Sequence, residues 1–284
     1  MLLEFKTKNY KSFVEEASFS MVAAPKQKGL DYSLMKTKIK GKEIKGLSSS
    51  VIYGPNAAGK TNIIGAMDVL RAIVLRGNIR NSEEKSSPNP AAATLELIPN
   101  NSEMESKPVC FEIEFYEEDG ENHKFKIHYE LEVALGTFLE EEYQRKILAE
   151  VLEVNGERIF ERAEDLKIEN LKVIKDYLSD ITEQNADSVN EIAKNSLNQE
   201  ELFLTNGFKL IFSPKFTKLM VDWFMNKFMV IYRADSMQLI KRFADPKKKA
   251  IYVEKTTDDA AKLFGINSNA VGYFVSDDET DAKL

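Results

Sequence analysis

The chain has 284 residues, of which 43% are hydrophobic and 30% charged, with a formal net charge of −7. That length and composition exclude a disordered chain and favour a principal domain with an insertion or second lobe, while the negative charge speaks against a surface that coats nucleic acid generally. With one cysteine, Cys110, and two histidines, His123 and His128, neither an intrachain disulfide nor a Cys/His zinc cluster is available.

The N-terminus, "MLLEFKTKNYKSF", carries no apolar leader, and no segment approaches the roughly 18 apolar residues of a membrane helix, so cytoplasmic residence without membrane association is expected. Short alternating runs, "LLEFKTKNY", "EASFSMV" and residues 36–45, predict β-structure over the first fifty residues. Within it Lys36, Lys38, Lys40 and Lys42 alternate along one predicted strand face. They form either a basic stripe able to touch the phosphates of DNA or RNA or a solvated face, and no aromatic residues interleave for base stacking.

"VIYGPNAAGKTNIIGAMDVL", residues 51–70, reads as a buried strand, a turn and a helix, with Ile63, Met67, Leu70 and Val74 at helical spacing. Gly54, Pro55, Asn56, Ala57, Ala58, Gly59, Lys60 and Thr61 fit the phosphate-loop pattern G-x-x-x-x-G-K-[ST] at every fixed position and in the strand–turn–helix setting that the pattern needs. The glycines let backbone amides curl around a β-phosphate, the helix N-terminus adds its positive end, Lys60 bridges the β- and γ-phosphates and the Thr61 hydroxyl ligates Mg²⁺. ATP and Mg²⁺ are therefore the expected cofactors.

Residues 76–108 read as a surface loop. Strands follow at 109–118 and 122–134; Val109, Phe111, Ile113 and Phe115 make an apolar face, and Cys110 shares the other with Glu112 and Glu114, a plain strand position. Asn155-Gly156 predicts a tight hairpin. From about residue 164 the pattern turns helical: Leu171, Ile174, Leu178 and Ile181 form one stripe, and Val189, Ile192 and Leu197 mark another helix. Ser213 and Pro214 predict an N-cap and first-turn proline for a helix carrying Phe216, Leu219, Met220 and Trp223 into the core. "FMVIY" and "KAIYVEK" are expected strands, "DDAAKLFGI" a short helix and Lys247-Lys248-Lys249 a solvated turn.

Some fifty residues of β-structure before the phosphate loop suit an ABC-type head better than a small GTPase or nucleoside kinase, and no N-K-x-D motif for base recognition is present. "KNYKSF", "SMVAA" and "VIYGPNAAGKTNII" together resemble the ABC-type ATPases of the RecF, SMC and OLD group, most closely the RloA-like "AAA family ATPase" proteins of bacteria. "FEIEF", "VNGERIFER" and "DWFMNKFMVI" extend the resemblance over most of the chain, with the phosphate loop as its diagnostic segment.

The resemblance implies an α/β P-loop NTPase fold. It would be an ABC-type ATPase head with a mixed sheet: a nucleotide-binding lobe at 1–160, a largely helical insertion at 161–245 and a return toward the ATPase core at 246–284. It implies that Lys11 approaches the nucleotide phosphates, the alternative being a solvated strand-end lysine, and it places Asn56 and Asn62 where related loops carry asparagine. Ala57 and Ala58 depart from the glycine and serine of many SMC-type loops. Family heads couple ATP to homodimerisation or higher homo-oligomerisation and to an effector protein, DNA or RNA, and anti-phage defence or DNA maintenance is the implied setting. A non-hydrolysing ATP-sensing scaffold that grips an effector protein is the alternative.

Catalytic residues are not identified by the sequence. The family's Asp-Glu strand, signature segment and switch histidine find no convincing counterpart, and Asp277, Asp278 and Glu279 read as a solvated acidic end. The chain is thus expected to correspond to the N-terminal part of such a protein.

Overall fold

The computed structural model describes residues 1–24, 29, 31–80, 97–100, 107–135, 145–180, 186–230, 243–245, 250–252, 272–275 and 282–283. The chain divides into two compact units, Met1–Val230 and Ile231–Leu284.

The first unit is mixed α/β. Its strands are β1 (Leu2–Lys8), β2 (Ala17–Ser20), β3 (Leu34–Ile39), β4 (Lys42–Leu47), β5 (Val109–Glu118), β6 (Lys124–Ala134), β7 (Lys146–Val154), β8 (Glu157–Arg162) and β9 (Leu166–Ile168). Seven of these form one sheet in the order β2-β1-β5-β6-β7-β8-β9, while β3 and β4 pair as a separate hairpin. Every strand pairing among the described residues is antiparallel, so the mixed sheet expected of an ABC-type head is not found among them. Antiparallel strands can be joined by tight turns, and the run from β5 to β9 is such a meander.

Period-two alternation decides which face is core. Phe111 pairs with Leu131 and Ile113 with Tyr129, all four buried. Cys110, Glu112 and Glu114 sit half-buried on the opposite face, as their alternation predicts. Burial first, then the charge of Glu132, pushes the Cys110 thiol up to about 11, so it stays protonated at neutral pH. Asn155 (φ 55°) and Gly156 (φ 79°) make the expected β7–β8 turn, and the Asn155 Oδ1 accepts from the Lys126 amide at 2.8 Å.

Helices cover the apolar face. α1 (Lys60–Arg76) buries Ile63, Met67, Leu70 and Val74, the stripe read from the sequence. The stripe at 171–181 does not form an α-helix: Leu171–Tyr177 is a 3₁₀ segment broken at Ile174 (φ −119°, ψ 27°), and Ile181 lies outside the described residues. A 3₁₀ turn eclipses every third residue, so Leu171, Ile174 and Tyr177 share a face, Ile174 fully buried and the other two partly buried against the core. α2 (Ala186–Asn195) buries Val189 and Ala193 but leaves Ile192 exposed, and Leu197 falls beyond its end. A π-helical turn, Leu204–Phe208, leads through Lys209–Ile211 into α3 (Pro214–Asn226). There the Ser213 hydroxyl accepts from the Phe216 amide at 3.1 Å and Pro214 opens the first turn, as expected.

Phe216, Met220 and Trp223 of α3 are core residues, and Leu219 packs against them. Trp223 lies between two parallel rings, Phe115 at 3.8 Å and Phe228 at 5.0 Å between centroids. Phe228–Val230 carry no strand, contrary to the "FMVIY" expectation, because Phe228 closes this aromatic stack instead of entering a ladder; the remaining two residues lie outside the described set.

A buried carboxylate ties the helical segment to the sheet. Glu150 of β7 accepts from the Tyr129 hydroxyl at 2.9 Å, the Phe203 amide at 2.7 Å and the Leu204 amide at 2.9 Å, with the Arg162 guanidinium 3.8 Å away. Burial raises its pKa above the ordinary carboxylate value, and the donors offset only part of that rise.

In the second unit β10 (Phe243–Asp245), β11 (Ala250–Tyr252), β12 (Gly272–Val275) and β13 (Ala282–Lys283) form a four-stranded sheet in chain order. β11 falls within the expected "KAIYVEK" strand. The "DDAAKLFGI" helix, Lys247-Lys248-Lys249, Asp277, Asp278, Glu279 and most of the expected 76–108 loop lie outside the described residues. Among the described residues no helix is long and apolar enough to cross a membrane.

Candidate nucleotide site

The segment Val51–Tyr53 forms no strand and is exposed: Val51 at 81% and Tyr53 at 90%. This corrects the buried strand read from its apolar residues. The seven-stranded sheet does not include it, and among the described residues no strand pairs with it.

Gly54 to Thr61 then turns into α1. Ala57 is left-handed at φ 63° and Gly59 at φ 85°, which place the loop where a side chain costs about 1–2 kcal/mol at each position. Gly59 occupies the N-cap without any side-chain cap, and no acidic residue stands in the first turn of α1. The Asn62 and Ile63 amides return to the Gly59 carbonyl at 2.9 and 3.2 Å. The positive end of a 17-residue helix is therefore presented to the loop without a carboxylate to neutralise it.

The Lys60 ammonium bends back over the loop and donates to the Gly54 carbonyl at 2.8 Å and the Pro55 carbonyl at 2.6 Å. Each is a surface contact that a phosphate oxygen can replace. Thr61 is exposed at the first turn, Asn56 and Ala58 are exposed on the loop, and the Ala58 amide bonds the Pro55 carbonyl at 3.3 Å.

A second turn supports the first. Asn9 (φ 53°) and Lys11 (φ 49°) fold the chain after β1, the Phe13 amide closing on the Tyr10 carbonyl at 2.9 Å. The Lys11 amide donates to the Ile98 carbonyl at 2.8 Å, and the Asn100 side chain donates to the Lys11 carbonyl at 2.7 Å. From this turn the Ser12 hydroxyl accepts from the Asn62 Nδ2 at 2.7 Å. A Cβ on Gly59 would lie 2.9 Å from a Phe13 ring carbon and 3.1 Å from the Ser12 hydroxyl.

The Lys11 turn is thus brought against the loop, with the Lys11 ammonium 5.5 Å from the centre of the Tyr10 ring. Sequence reasoning singled out Lys11 and Asn62 but passed over Ser12 and Phe13, which make the contact. "NYKSF" stands far from the loop glycine in sequence, Ser12 and Asn62 being 50 positions apart, so no sequence signal shows this pairing until the chain is folded.

The far end of α1 is fastened differently. Gly77 (φ 74°) caps it, donating to the Ile73 carbonyl at 2.8 Å and accepting from the Leu202 amide at 2.9 Å. Its missing Cβ would lie 2.6 Å from the Thr205 hydroxyl. Arg71 bridges to α3 through the Phe224 carbonyl at 2.9 Å.

The Lys36, Lys38, Lys40 and Lys42 stripe is not one strand face. Lys36 and Lys38 share a face of β3, whereas Lys40 (φ 46°) and Gly41 form the turn and Lys42 opens β4 opposite Ile39. A tight turn ends the alternation that a continuous strand would have kept.

A family model described as "AAA domain, putative AbiEii toxin, Type IV TA system" matches residues 49–202, from just before the phosphate loop to the segment that receives Gly77. No curated protein and no solved structure matches the chain.

Proposed function

Since the chain belongs to the AAA-domain family whose description names the AbiEii toxin of a Type IV toxin–antitoxin system, we propose that it is a P-loop nucleotide-binding module that takes ATP with Mg²⁺ and couples it to a protein partner. The observation that carries this reading is the loop itself. A left-handed glycine, an uncapped helix N-terminus free of acidic residues and an ammonium resting on two exposed carbonyls all converge on residues 54–61. Lys60 would exchange the Gly54 and Pro55 carbonyls for phosphate oxygens, and the Thr61 hydroxyl would hold Mg²⁺, whose charge helps neutralise the β- and γ-phosphates.

The finer resemblance to RecF-, SMC- and OLD-related heads supports dimerisation or nucleic-acid handling as the work that ATP drives, in anti-phage defence. The exposed Val51–Tyr53 segment gives a partner a physical route to the nucleotide. A strand added beside it would bury Val51 and Tyr53 and restrain the loop that follows, linking partner and nucleotide occupancy.

Titration calorimetry with Mg-ATP tests the reading. The parent chain is expected to bind, and Lys60→Ala to lose roughly 30-fold or more in affinity. Equal affinity in the two chains would overturn it.

A further inference from the structure

The β3–β4 hairpin tip closes one side of a cavity of about 320 Å³. Its other walls are the β5–β6 turn, the β7–β8 turn and the 3₁₀ segment, all within Met1–Val230. Ile39, Phe125 and Ile174 contribute buried apolar side chains to the lining. Lys38, Lys40, Lys124 and His123 also line it, and among the described residues that do so Asp176 is the only carboxylate. In a chain of net charge −7, three lysines and a histidine here share one lining.

Acids also stand nearby, and some of them are already engaged. Glu43, opposite Lys38 in the hairpin register, is held by Lys45 at 2.9 Å. The approaches of Lys40 to Glu157 and of Lys124 to Glu118 are loose, at 4.0 and 3.9 Å. Asp119 accepts from the Tyr177 hydroxyl and, at 2.9 Å, bonds the His123 Nδ1, so it fixes the imidazole by one ring nitrogen and raises its tendency to carry charge. Asp119 also accepts the Glu121 and His123 amides at 2.8 Å.

We propose that this cavity binds one nucleoside monophosphate unit, free or as the 5′-phosphorylated end of a nucleic acid strand, in a site separate from the phosphate loop. The volume lies at the lower end of the range of about 300–1,000 Å³ for small-ligand sites, enough for one nucleotide. Lysines bind phosphate as mobile point charges, and the apolar lining beside them suits a sugar or base. The histidine, lysines and apolar residues come from three separate chain segments, so only the fold assembles the combination.

The test uses the full chain carrying Lys60→Ala, so that the loop does not contribute, with 5′-AMP and with 5′-phosphorylated and 5′-hydroxyl single-stranded oligonucleotides at low salt. Phosphorylated ligand is expected to bind at least about tenfold more weakly to Lys38→Gln/Lys124→Gln, whose exposed positions leave folding intact, and with a shallower salt dependence. Asp176→Asn is expected to tighten binding. Binding of 5′-AMP alone identifies the free nucleotide as the source; preference for the phosphorylated oligonucleotide identifies the strand end. No binding of any phosphorylated ligand, equal binding by the double variant, or indifference to the 5′-phosphate would overturn the proposal.

Discussion

The two ends of α1 are built in opposite ways. At its N-terminal end Gly59 and Lys60 meet exposed loop residues, an exposed approach segment and a single side-chain bridge between Ser12 and Asn62. At its C-terminal end Gly77 is bonded on both sides and seated against the Leu202–Asn206 segment, which Glu150 fixes to the sheet. A helix anchored at one end and loosely held at the other can keep its position while its loop rearranges around a ligand. The difference teaches where stability and binding are expected to separate.

The largest expected effect breaks the anchored end. Glu150→Ala leaves two buried amides, the Tyr129 hydroxyl and the Arg162 guanidinium without their shared acceptor, so a loss of about 3–5 kcal/mol in denaturant unfolding is expected. A change within about 0.5 kcal/mol would show that the Glu150 hydrogen bonds do not hold the 202–208 segment.

The same substitution at both ends sharpens the contrast. Gly77→Ala forces a left-handed alanine against Thr205 and is expected to cost about 1–3 kcal/mol of stability with nucleotide affinity preserved. Gly59→Ala meets Phe13 and Ser12 instead, next to a loop that can shift, so the expected pattern is reversed: a smaller stability loss and a larger loss of Mg-ATP affinity. Paired thermal melts and calorimetry decide it, and matching profiles for the two variants would abolish the distinction.

A smaller effect is expected from Ser12→Ala. It removes one partly exposed hydrogen bond, so affinity should fall a few-fold, about 0.5–1.5 kcal/mol, while unfolding moves by less than about 0.5 kcal/mol. Unchanged affinity would mean that the Lys11 turn does not position the loop.

The smallest effect lies on the half-buried charged face of the sheet, away from both ends, and serves as a control. Burial by itself would lower the His128 pKa, but the Glu130 hydrogen bond at 2.6 Å and the charges of Glu130, Glu112 and Glu153 outweigh it and raise it above 6.5. A raised folded pKa gives a contribution that is complete below the ordinary value and lost as pH rises through the folded one. The stability difference between the parent and His128→Gln should therefore shrink from pH 6 to pH 8, with nucleotide affinity unaffected; a pH-independent difference would refute the assignment.

Local chemistry made much of this legible in advance. The φ > 0 demand of Asn155-Gly156, the Ser213-Pro214 helix start, the alternation of β5 and β6 and the phosphate loop with its helix all follow from interactions within a few residues, which the sequence alone determined. Burial is different, because it depends on what the rest of the chain places nearby. Val51–Tyr53 has the composition of an inner strand yet is exposed, with no strand among the described residues flanking it, and Leu171–Tyr177 has a helical stripe yet closes as a 3₁₀ segment. Only tertiary structure could set Ser12 on Asn62, gather three amide and hydroxyl donors on Glu150, and turn an apparent lysine stripe into one wall of a cavity. Each of those contacts joins residues at least twenty positions apart or separates neighbours by a turn, so pairing there is decided by topology and not by spacing.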